Sequence, residues 1–169
     1  MPPQKVVLKY LRLNGNDDLI KFEEALIKHA INYVKEHADK ELSILDKDIE
    51  TVKGSFPIIS FPKVYDILSN MGSKVAYGSD IGREDELLLY KYVKEHYHSD
   101  FFFIDRFPYS AKPFYVMKDD ETFARSYDLE YKGVELSSGG QREHRYNVLI
   151  NQIREKKLNE RNLEWFTKF

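Results

Sequence analysis

The sequence predicts a mixed α/β (α+β) fold, with helices flanking a mostly antiparallel sheet. Three observations carry that expectation. Phe101-Phe102-Phe103-Ile104-Asp105 is a continuous apolar run of strand length, as a strand buried on both faces requires. Lys132-Gly133 is a tight-turn pair between two strand-like runs, which sets up an antiparallel hairpin. Two long stretches, residues 17–38 and 83–97, repeat apolar residues at helical spacing.

The elements follow in order. Lys5–Leu13 alternates as a strand and ends at the turn signal Asn14-Gly15. Asn16 or Asp17 can cap a helix over Asp17–Ala38, with acidic residues early and Lys35 and His37 late, as the helix dipole favours. Leu19, Phe22, Leu26, Ala30 and Tyr33 form its expected buried stripe. Residues 39–61 are mixed, with a turn near Asp46–Ile49 and a short strand within Phe56–Ser60. Pro62 opens a helix that runs to Asn70 and closes at Met71-Gly72. After the Gly78–Gly82 loop comes the helix Arg83–Tyr97. Strands are expected at Phe101–Asp105, Pro113–Met117, Ser126–Tyr131 and Val134–Ser137. A helix over Arg142–Lys157 and the opening of another at Asn162–Phe169 complete the pattern.

Length and composition bound the function. The 169 residues fit one domain, and 42% hydrophobic with 14% aromatic residues is enough for a real core. There is no cysteine, which removes disulfides, thiolate metal sites and cysteine nucleophiles. Lys and Arg total 26 against 28 Asp and Glu, so no basic excess marks a non-specific nucleic-acid binder. The N-terminal stretch reads as neither a secretory signal nor a membrane span; the expectation is a cytoplasmic protein without a membrane partner. The histidines, including His96 and His98 two apart at a helix end, read as structural or solvated rather than as a zinc set. His144 reads as a helix-face residue. Tyr109, Phe114 and Tyr115 suit either a stacking surface or plain core.

Chemistry concentrates in Arg125–Arg145. Asp128 and Glu135 fall on the two strands of the hairpin, followed by Ser137, Ser138, Gly139 and Gly140, then Arg142 at the expected mouth of a helix. Two carboxylates with a hydroxyl make an oxygen-rich group suited to Mg²⁺. The glycines permit close backbone approach to a ligand, and Arg142 can hold a carboxylate in a bidentate pair. Physics alone weighs this evenly against a hairpin with surface charges and a Ser/Gly loop.

The run GVELSSGGQREH resembles the segment before the final motif of class II aminoacyl-tRNA synthetases of the archaeal aspartyl/asparaginyl type. It is also similar to archaeal asparagine synthetases derived from them. SDIGREDE, FFFIDRFP, KPFYVM and SYDLEY agree in order, so the resemblance covers about Phe61–Phe169, and the N-terminal helix sits where such enzymes have one. The resemblance implies a class II synthetase-like catalytic sheet and the activation of an amino acid with ATP and Mg²⁺, followed by transfer to tRNA. It assigns Asp128, Glu135 and Ser138 to ATP and metal. It assigns Arg142, Lys112, Gln141 and Gly139 to the amino acid, which is aspartate or asparagine, with aspartate favoured by the basic pair Lys112 and Arg142. No side chain is implied as a nucleophile.

The first motif, the core of the second, the glycine-rich third and an anticodon-binding domain are not found in these residues. The expectation is therefore a truncated catalytic domain that does not activate an amino acid alone. It would be completed by a second copy or a partner chain, or have turned into a non-catalytic module. With flanking strands partly missing, Phe101–Ile104 is expected to leave exposed edges that drive self-association.

Overall fold

The computed structural model describes residues 15–49 and 51–167. The strand expected at Lys5–Leu13 lies outside the described residues. The chain divides into two compact units, Met1–Phe56 and Pro57–Phe169.

The described part of the first unit is built on helices. Helix α1 (Asn16–His37) matches the expected span, but Gly15 occupies the N-cap and no side chain caps the helix. Asp17 and Asp18 open it, and Lys35 and His37 close it. The expected stripe is not the covered one: Phe22, Leu26 and Tyr33 are exposed, whereas Ile20 is buried and Ile27 and Ile31 are half-buried. Apolar residues lie all round this helix, so periodicity alone does not choose its face. A break at Ala38 leads into a short helix, α2 (Asp39–Ile44), inside the segment read as mixed.

The second unit holds a four-stranded sheet in the order β1 (Ile58–Ser60), β2 (Phe101–Asp105), β3 (Ser126–Tyr131), β4 (Val134–Gly140). β1 and β2 pair in parallel, with α3 (Lys63–Asn70) and α4 (Arg83–Tyr97) in the crossover between them. β2–β3 and β3–β4 are antiparallel. The central strand β2 therefore has a neighbour on each side, so the edges expected at Phe101–Ile104 from partly missing flanking strands are paired in this sheet. Phe102 and Ile104 join Ile59, Val64, Leu68, Leu89 and Val93 in the core under α3 and α4. Phe101 and Phe103 point the other way, against Tyr131 and Tyr127.

Two expected elements differ. Pro113–Met117 is not a regular strand: the Val116 N–H turns back to the Pro113 carbonyl, and only a single bridge, Val116 to Arg142, is formed. The helix expected from Arg142 begins instead at Tyr146, as α5 (Tyr146–Glu155). The intervening backbone is committed elsewhere, since Gln141 N–H donates to Arg125 and Glu143 N–H to Tyr115. His144 consequently precedes the helix rather than lying on it. The buried Gln152 of α5 donates to the Phe114 and Val116 carbonyls and pins the irregular segment. A 3₁₀ turn (Glu160–Leu163) and α6 (Glu164–Thr167) end the described chain.

Candidate active site on the β3–β4 hairpin

The hairpin turns at Lys132-Gly133, both left-handed with φ of 53° and 71°, the geometry a two-residue turn demands. Its register pairs Asp128 with Ser138 and Glu130 with Glu135. Residues directly opposite share a face, and alternate residues along a strand share it too. Asp128, Glu130, Glu135 and Ser138 therefore stand on one face, the front, which also carries Phe102 and Ile104 of β2.

Glu135 and Ser138 are three apart, a spacing that would put them on opposite faces of a regular strand. A bulge removes the conflict. Leu129 pairs with Ser137 and Glu130 with Glu135, so Leu136 is the extra residue without a partner, and the phase shifts by one.

The electrostatics of the front face follow from burial. Glu130 lies opposite Phe102 beside the apolar core and is 1% exposed. Burial, with Glu86, Asp128 and Glu135 adding repulsion, pushes its carboxyl up to about 8. Burial also pushes Asp128 up, against the pull of Lys112 and a hydrogen bond from the Ser138 hydroxyl. Lys112 Nζ stands 3.4 Å from Asp128 Oδ2 and 3.7 Å from the centroid of the Phe107 ring. Asp128 Oδ1 is buried with no hydrogen-bond partner. Glu86 of α4 is raised as well, chiefly by burial. Glu130 and Glu86 escaped the sequence reading, although Glu130, two residues beyond Asp128, has to share its face.

This donor set fits Mg²⁺. Two carboxylates and a hydroxyl supply hard oxygens, and one Asp128 oxygen is unspent. No three His, Asp or Glu side chains among the described residues converge into a complete cage. That suits an ion that takes one or two carboxylates and draws its other oxygens from water and substrate phosphates.

The residues assigned to the amino acid do not all gather. Alternation puts Arg142 on the front with Ser138, where its guanidinium rests on the Tyr115 ring at 4.9 Å. Gly139 and Gln141 fall on the back. A Cβ at Gly139 would come within 2.7 Å of the Tyr127 ring, so its lack of a side chain is explained inside the protein. Gln141 Oε1 accepts from Arg125 Nη1 at 3.0 Å. Arg142 is not at a helix mouth, because α5 starts four residues later. Tyr109 belongs to the core: it is buried, flanked by the Lys118 and Lys156 ammonium groups, with burial pushing its phenol up to about 12.

The sequence profile of tRNA synthetases class II (D, K and N) matches residues 9–169. Aspartate–tRNA(Asp) ligases of Thermococcus kodakarensis and Pyrococcus horikoshii are 45% and 46% identical over 158 residues, which is 92% of this chain and 36% of each relative. The chain thus spans little more than a third of the length of the curated relatives it matches. Among solved structures, the asparaginyl-tRNA synthetase from Pyrococcus horikoshii complexed with asparaginyl-adenylate is similar with a TM-score of 0.78 at 28% identity, covering 91% of this chain and 36% of that one. The aspartyl tRNA synthetase from Entamoeba histolytica shares the fold at TM-score 0.84 and 24% identity, covering 93% and 33%. Sequence and fold agree: the chain belongs to the class II tRNA synthetases of the D, K and N group.

Proposed function

We propose that this chain carries the amino-acid and metal side of an aspartyl-tRNA synthetase centre. The observation that carries the reading is the single hairpin face that unites Asp128, Glu135 and Ser138, with Arg142 two residues past the end of β4. The identity to aspartate–tRNA ligases supports it. In the reaction, an oxygen of the aspartate α-carboxylate bonds to the α-phosphorus of ATP while the bond to the pyrophosphate oxygen breaks. A terminal ribose hydroxyl of tRNA then attacks the activated carbonyl, loses its proton and releases AMP.

Each step asks the protein mainly for positioning and charge neutralisation. Arg142, exposed and cationic, holds the side-chain carboxylate of aspartate. Lys112 contributes positive charge next to it, tempered by its contact with Asp128. Asp128, Glu135 and Ser138 would hold Mg²⁺, which supplies charge neutralisation for the phosphates when bound. Buried Glu130, largely protonated at neutral pH, adds little negative charge to that face. No helix among the described residues is long and apolar enough to cross a membrane, and we place this chemistry, with tRNA as its partner, in the cytoplasm.

The test is a thermal-shift titration with non-hydrolysable aspartyl- and asparaginyl-adenylate analogues and Mg²⁺. The aspartyl analogue should stabilise the wild type by several degrees and Arg142→Ala hardly at all. No shift in folded wild type would overturn the reading, and a larger shift with the asparaginyl analogue would overturn the choice of aspartate.

A further inference from the structure

A run of charged contacts starts at Arg106, passes through Asp119, Asp120 and Arg125, and ends at Gln141, the residue before Arg142. Arg106 pairs with Asp120 at 2.8 Å and with Asp119 at 2.9 Å. Arg125 Nε donates to Asp119 at 3.3 Å, and its Nη1 donates to Gln141 at 3.0 Å. A guanidinium has donors only, so the Gln141 carboxamide must turn its oxygen to Arg125.

The backbone closes Arg125, Gln141 and Met117 into a ring. Gln141 N–H donates to the Arg125 carbonyl, Arg125 N–H to Met117 and Met117 N–H to Gln141, each at 2.9 Å. On the far side of Arg142, the buried Glu143 carboxylate accepts from Arg145 Nε at 2.9 Å and Nη2 at 2.7 Å. Both chain neighbours of Arg142 are therefore fixed. Arg142 itself makes no ion pair among the described residues and leans on Tyr115 alone.

We infer that Arg125 and Gln141 are positioning residues for Arg142, acting from the back of the hairpin to aim its guanidinium at the substrate carboxylate. The inference rests on the proposed role of Arg142 as the side-chain anchor. A flexible arginine must be ordered to form a bidentate pair, and a backbone held on both sides leaves only the side chain to order. Individually exposed ion pairs contribute little, whereas a connected set that fixes one backbone position has a geometric effect larger than its energy.

Isothermal titration of the full chain with aspartyl- and alanyl-adenylate analogues separates positioning from general stability. Only the aspartyl ligand has a side-chain carboxylate for Arg142, so the ratio of the two affinities reports its aim. Arg125→Met should lower that ratio roughly tenfold, leaving alanyl-analogue binding unchanged, and Gln141→Ala should lower the ratio similarly. Gln141→Glu, which keeps an acceptor for Arg125, should restore most of it. An unchanged ratio, or equal weakening of both ligands, would overturn the inference while leaving the Arg142 reading in place. No preference for the aspartyl analogue in wild type would remove that reading and this inference together. Should Gln141→Ala fail to fold, Asp119→Asn loosens Arg125 from its outer side and is judged by the same ratio.

Discussion

On the front of the hairpin Glu130 is buried beside Phe102 with one carboxylate oxygen unpartnered, while towards the back Glu143 is buried just as fully but held by Arg145. The first is pushed up to about 8 and the second held down to about 2, chiefly by its hydrogen bonds from Arg145. Burial raises both carboxyls, but only Glu143 is hydrogen-bonded to a cation, and its bonds from Arg145 outweigh that burial. The face assigned to substrate keeps a neutral acid beside Asp128 and Glu135, and the supporting face keeps a neutralised ion pair.

The largest effect that would break this contrast is at Glu130. Its folded value lies above the unfolded one, so the folded state binds more protons and stability falls as pH rises from about 4.5 to about 8. Across that window the loss is roughly 4 kcal/mol, and above it the curve is flat. Glu130→Gln should remove the largest part of the fall and leave the smaller contributions of Asp128 and Glu86, which burial also raises. Urea denaturation at pH 5 and pH 8 measures it, and a mutant with the wild-type slope would place the titration elsewhere.

Next comes Gly140. A Cβ there would lie 2.6 Å from the Arg125 carbonyl oxygen, which is held in place by the Gln141 N–H and cannot readily retreat. Gly140→Ala should cost about 2–3 kcal/mol in the same assay. A cost near zero would show that the two faces are less tightly joined than their register implies.

The smallest is Glu143→Gln, which removes the charge from the Arg145 pair. Arg145 is largely exposed, so the loss at neutral pH is expected to be the smallest of the three. The sign is opposite to that of Glu130. Here the folded value is depressed, so the stabilisation is present above about pH 4.5 and is lost as pH falls towards 2. A glutamine variant that still loses this increment in acid would assign the effect to another carboxyl.

Much of the fold was readable from residues alone because its signals are local. Phe101–Asp105 has a continuous apolar run, Arg83–Tyr97 follows a glycine N-cap with three acidic residues in its first turn, and Ser126–Tyr131 leads into an evident turn. The start of α5 was not readable, because the backbone of residues 141–143 is claimed by partners at Tyr115 and Arg125 that lie distant in sequence. At the proposed site, the identities of Asp128, Glu135, Ser138 and Arg142 were visible, but the common face of the first three was not. It depends on the idle residue Leu136, and period-two counting puts Glu135 on the wrong side. The same alternation, applied beyond Ser138, would have separated Gln141 from Arg142 at once.

The sheet order also has a kinetic consequence. β3 and β4 meet across a two-residue turn, and closing so short a loop takes microseconds or less. β1 has to find β2 across two intervening helices, with Ile58 opposite Phe103, and that non-local closure is entropically slow. The hairpin that gathers the charged residues should thus assemble early, while the parallel pair that buries Phe102 beside Glu130 comes late. Until that second event, Glu130 is hydrated and ionised, so its uptake of a proton marks the moment the sheet is completed. Refolding above pH 8 would lack that proton and should be slowed at its final step alone.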